Sequence, residues 1–130
     1  MKIKLIILVF GLIAIVSCQH HHDEDNDPTA PTITILSPDS SLIAKNNDTI
    51  QLLANVVDNS LHEVSFEIVG TKNDTFISKI LDAHDQTKFD LISFWIPKGF
   101  NQSTNLTFIV HAEDHNAHKV TNQVAFIVIP

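Results

Sequence analysis

The chain has 130 residues, 44% of them hydrophobic, with one cysteine, no arginine and a formal net charge of −7. Nucleic-acid binding needs a basic footprint, which this balance excludes, while an acidic surface attracts cations. The length allows one hydrophobic core and not two, and a lone cysteine leaves that core without an internal disulfide.

Lys2 and Lys4 precede a nearly unbroken apolar run, Leu5 to Val16, which ends in Ser17-Cys18. A positive start, a short greasy stretch and small residues at a cut site form a secretory signal. The run falls well short of the roughly twenty residues that span a bilayer. Ile15-Val16-Ser17-Cys18 resembles the lipobox of bacterial lipoproteins. That resemblance implies a signal peptide at 1–17, cleavage before Cys18 and acylation of Cys18, so that lipid chains anchor the protein to a membrane. By the same resemblance, Gln19 in place of Asp favours the outer membrane. The following His20-His21-His22-Asp23-Glu24-Asp25-Asn26-Asp27 resembles the acidic export signals of Bacteroidetes-type surface lipoproteins. Cleavage leaves six lysines against fifteen acids. Residues 18–31 contain almost nothing apolar after Cys18 and read as a flexible tether that buries too little to order itself. Pro28 and Pro31 stiffen its end.

From residue 32 to 130 the apolar residues come in short runs broken by Asn, Asp, Ser and Pro, the pattern of an all-β sandwich or barrel. Seven runs are predicted as strands: 32–36, 49–57, 63–69, 75–81, 87–96, 105–112 and 120–129. Alternation puts Ile50, Leu52, Ala54 and Val56 on one face of the second, and Val64, Phe66 and Ile68 on the inner face of the third. Leu106, Phe108, Val110 and Ala112 in the sixth, and Val124, Phe126 and Val128 in the seventh, point inward. The fifth is apolar on both parities near Trp95, which predicts a covered strand or a bulge there. No stretch shows a helical period.

Three phrases, Pro31–Pro38, Asp58–Phe66 and Phe108–Val120, resemble bacterial immunoglobulin-like domains. The resemblance implies an antiparallel immunoglobulin-like β-sandwich of about seven strands with an adhesion or spacer role, and no chemistry. Where it would place Gly-Asn in the last turn, this chain has Asn116-Ala117.

With the strands named A to G in order, that topology gathers the BC (58–62), DE (82–86) and FG (113–119) connections at one end. All five domain histidines, His62, His84, His111, His115 and His118, fall at or beside it, with Asp58, Glu63, Asp82, Asp85, Glu113 and Asp114 as the nearby acids. The tether bearing His20, His21 and His22 enters at the same end. Imidazole and carboxylate are ligands for Zn²⁺ or Cu²⁺, and His115 and His118 are spaced to share one ion. Calcium is disfavoured, because no loop has the dense acid spacing of an oxygen-ligand site.

No nucleophile elbow or phosphate loop is present, so the expectation is a non-enzymatic protein. The first functional reading is an outer-membrane lipoprotein whose immunoglobulin-like domain binds or presents a protein or glycan. The alternative is a metal-binding lipoprotein that uses the histidine end, serving a metal-uptake receptor.

Overall fold

Chain segments rich in Val, Ile, Phe and Thr pair as strands in the computed structural model, which describes residues 27–130. Six strands form: β1 (Thr32–Ser37), β2 (Ile43–Lys45), β3 (Ile50–Gly70), β4 (Thr75–Trp95), β5 (Thr104–Asp114) and β6 (Lys119–Ile129). Among the described residues there is no helix.

The two long strands make the sandwich. The first half of β3 pairs with β1 on one side and with the second half of β4 on the other. The second half of β3 pairs with the first half of β4 and with β5. Then β5 pairs with β6, and β6 with β2, the last in parallel. Two sheets therefore share β3 and β4, which bend from one into the other where the register shifts between Val57 and Glu63. This is an immunoglobulin-like β-sandwich.

The core lies between the sheets. Leu52, Ala54 and Val56 face Val64, Phe66 and Ile68, joined by Leu106, Phe108, Val110, Phe126 and Val128, all essentially without solvent contact. Each large side chain so buried contributes about 1.5–3 kcal/mol. The Phe66 and Phe108 rings meet edge to face at 6.0 Å, and Trp95 packs on Phe126 and Phe100 at the end away from the bend.

The inward faces agree with the alternation read from the sequence. Three features differ. The expected second and third strands are one strand, β3, and the fourth and fifth are one strand, β4, because β3 and β4 stay partners on both sides of the polar residues, with the register shifting from Val57–Lys88 through Leu61–Gln86 to Glu63–Asp82. The short β2 was not expected; it hydrogen-bonds along β6. Finally, the strand around Trp95 is neither covered on both faces nor bulged: its pairing from Lys88 to Trp95 is regular, and Ile92 (69% exposed) and Phe94 (56%) face solvent.

Candidate metal centre

The bend places the histidines. Leu61 in β3 and Ala83 in β4 are fully buried and plug the corner of the core. Successive strand side chains point to opposite faces, so burying these two turns His62 and His84 outward. At the β5–β6 turn, Asp114 is buried and its neighbour His115 is again outward. The His115 N–H donates to the Ser60 carbonyl at 3.0 Å, which ties this turn to the bend of β3.

Three elements thus deliver three imidazoles to one spot. His62, His84 and His115 each offer a ring nitrogen, and these nitrogens all lie within 4.8 Å of one another. His62 Nδ1 and His84 Nδ1 are 3.2 Å apart. Two nitrogens on a tetrahedral zinc, each about 2.0–2.1 Å from it, stand about 3.3 Å apart, so this pair already has the spacing of a shared ion.

A carboxylate backs the cluster. Asp85 Oδ1 is 3.2 Å from His115 Nε2, and Asp85 Oδ2 is 3.6 Å from His84 Nε2. A histidine ligand commonly donates its outer N–H to such a group, which holds the ring and frees the other nitrogen. Asp85 has φ = 59°, left-handed backbone that Asp tolerates better than most residues, and it occupies the tip of the β4 bend. The His84 N–H is held by Asp82 Oδ1 at 3.0 Å. All three histidines are exposed, leaving room for a fourth ligand from solvent.

The other expected residues are elsewhere. His118 does not join His115. Its Nδ1 is 2.7 Å from Asp114 Oδ2, and its backbone N–H donates to Asp114 Oδ1 at 2.8 Å. Asp114 is therefore a buried brace of the turn and not a ligand of the cluster. His111 points outward from β5, as Val110 and Ala112 point in, but onto the sheet face. There its Nδ1 meets Thr121 Oγ1 at 2.9 Å and its Nε2 meets Glu67 Oε1 at 3.4 Å. Cys18, His20, His21 and His22 lie outside the described residues. Asp85 falls among the acids the sequence places at this end, but its position beside His84 does not show that it also reaches His115.

The electrostatics of this end are acidic. Asp27, where the described chain enters, has its carboxyl held below the usual range, first by the Thr29 hydroxyl, with the Thr29 N–H, Asn59 and His118 adding to the effect. Asp85 and Asp82 stand beside the imidazoles, and the salt bridges of β4 and β6 that include a lysine, Lys88–Asp90 and Lys119–Glu113, lie outside the cluster. Negative potential here favours a cation.

No family model matches the chain, and no curated protein matches it by sequence. Solved structures similar to it include the fibronectin(III)-like modules of Clostridium thermocellum CbhA, at 17% identity and a TM-score of 0.49, covering 75% of this chain and 97% of that one. The E. coli chaperone DraB is similar at 10% identity and a TM-score of 0.44, covering 78% and 56%. PapD-like domain 7 of human CEP192 is similar at 14% identity and a TM-score of 0.39, covering 78% and 86%. The fold assignment rests on the strand pairing of this chain itself.

Proposed function

We propose that this protein is a lipid-anchored envelope protein whose immunoglobulin-like domain binds a divalent transition metal, Zn²⁺ or Cu²⁺, through His62, His84 and His115. The observation that carries this reading is the convergence of three ring nitrogens, delivered by β3, β4 and the β5–β6 turn, within 4.8 Å. Imidazole nitrogen suits these ions, and Asp85 supplies the outer carboxylate that such sites use. Three protein ligands with an exposed fourth position fit a site that takes up and releases its ion, rather than a closed structural one. In this reading Cys18 carries the lipid, residues 18–31 are the tether, and the outer membrane is the location, where the domain would serve a metal-uptake receptor.

Isothermal titration of the full-length protein with Zn²⁺ and Cu²⁺, in a background with His20, His21 and His22 replaced by Ala, tests the site. Binding should need His62, His84 and His115 and persist in His111→Ala and His118→Ala. Binding that survives loss of all three cluster histidines would remove the proposal. Replacing Cys18 by Ser should release the protein from membranes; continued membrane association would contradict the anchor.

A second reading, a module that binds or presents a protein or glycan, is favoured by one observation. Of the eight exposed large hydrophobics among the described residues, five (Phe76, Ile80, Ile92, Phe94 and Ile96) lie on or just after β4, which among those residues pairs only with β3. Single exposed apolar residues are ordinary, whereas a row of them along a free strand edge is a place where another chain can pair. Replacing Ile92 and Phe94 by Lys should then abolish partner capture without changing metal binding.

A further inference from the structure

Among the described residues, three buried side-chain oxygens have no hydrogen-bond partner: Asp27 Oδ2, Asp58 Oδ2 and Ser60 Oγ. Buried polar atoms are nearly always paired, so three lone oxygens at one corner need an explanation, and a bound cation is one that uses all three. All three sit at one corner of the sandwich. Asp58 and Ser60 belong to the bend of β3, and Asp58 Oδ1 accepts the Ser60 N–H at 2.8 Å. Asp27 reaches the same corner: its carbonyl accepts from Asn116 Nδ2 at 3.3 Å, in the turn whose His115 N–H donates to the Ser60 carbonyl.

Asp58 is the strongest of the three. It is only 7% exposed, no lysine or histidine forms an ion pair with it among the described residues, and one of its oxygens is unused. A buried carboxylate without a counter-charge is costly. Two similar Asp-x-Ser/Thr turns in the chain close differently. The Thr29 hydroxyl bonds the Asp27 carboxylate, and the Ser41 hydroxyl bonds that of Asp39. At Asp58 only the Ser60 N–H does so, which leaves the hydroxyl and the second carboxylate oxygen both available. Nearby Asp114 adds negative charge, but both its oxygens are taken by His118.

We infer a second, hard-cation site here, holding Ca²⁺ through Asp58 and Ser60 with Asp27 completing the oxygen set. Oxygen-only donors select Ca²⁺ over Zn²⁺ or Cu²⁺, so this site and the histidine cluster take different ions. The dense acid spacing of a dedicated calcium loop is absent because the ligands come from two separate segments, the chain entry and the β3 bend. With two carboxylates the affinity falls in the range of extracellular calcium modules, about 10⁻⁴–10⁻³ M.

Titration of the full-length protein with Ca²⁺, read by calorimetry and by melting temperature, tests the inference. Wild type should bind one ion at this corner, and Asp58→Asn should weaken it more than tenfold. If Asp58→Asn does not fold, Ser60→Ala is read instead and should weaken binding several-fold. No response of wild type to millimolar Ca²⁺ would overturn the site. So would an equal response in both variants, which would place the ion on other acids. Zn²⁺ binding at the histidine cluster is independent of either outcome.

Discussion

Removing His84 is the most informative single change at the histidine cluster. Its Nδ1 lies 3.2 Å from His62 Nδ1, and its Nε2 faces Asp85, so it links the other ligands to the backing carboxylate. Structural zinc sites yield about 10–16 kcal/mol from four ligands, or about 3 kcal/mol for each. At about 1.4 kcal/mol per decade, His84→Ala should weaken Zn²⁺ binding about 100-fold. Melting temperature reports this directly. Metal at 100 times the wild-type Kd stabilises the folded state by about 2.7 kcal/mol, a rise of about 10–20 °C for a domain of this size. The same concentration would equal the Kd of His84→Ala and add only about 0.4 kcal/mol, or about 2–3 °C. Differential scanning calorimetry with and without Zn²⁺, in the background lacking His20–His22, distinguishes the two. Equal rises in wild type and variant, or an equally large loss in His118→Ala, would refute the assignment of ligands.

Three further outcomes follow from the packing. Leu61→Ala opens a void in the fully buried corner beneath the site and should cost about 2–5 kcal/mol in urea unfolding while weakening the metal site above it. Ala117 has φ = 63°, left-handed backbone that costs a side-chain-bearing residue about 1–2 kcal/mol; Ala117→Gly should recover about 0.5–1 kcal/mol of this after the added flexibility of the unfolded chain. Asp39, whose carboxyl is lowered by the Ser41 hydroxyl, and Asp90, lowered by Asn55 and then Lys88, have folded pKa values below their unfolded ones. Their stabilisation is fully present above the ordinary carboxylate pKa and is lost as pH falls from there through the lower folded values, so Asp90→Asn should flatten the acid limb of a stability–pH curve.

Much of the fold was legible because strand alternation is a local signal. Val64, Phe66 and Ile68 in, with Ser65 and Glu67 out, follows from sequence spacing of two and holds in the structure. The continuity of β3 and β4 was not legible. Asp58-Asn59-Ser60 has the composition of a loop, yet the chain stays extended there and resumes pairing with the same partner at Leu61 after a register shift, which depends on neighbours distant in sequence. Likewise, apolar residues at Ile92 and Phe94 show a parity but not whether anything covers it. Strand order alone gathers the five histidines at one end. Which of them meet depends on what their neighbours bury. Leu61, Ala83 and Asp114 go inward and present His62, His84 and His115, while the turn through Ala117 hands His118 to Asp114. The calcium corner was hidden for the same reason, since its oxygens come from residues 27, 58 and 60.

Crystals of the protein soaked in Zn²⁺ and measured at the zinc absorption edge test the central claim most directly. The account predicts one strong anomalous peak bonded to ring nitrogens of His62, His84 and His115, at about 2.0–2.1 Å from each. A peak at His111 or His118 with none among those three would contradict it.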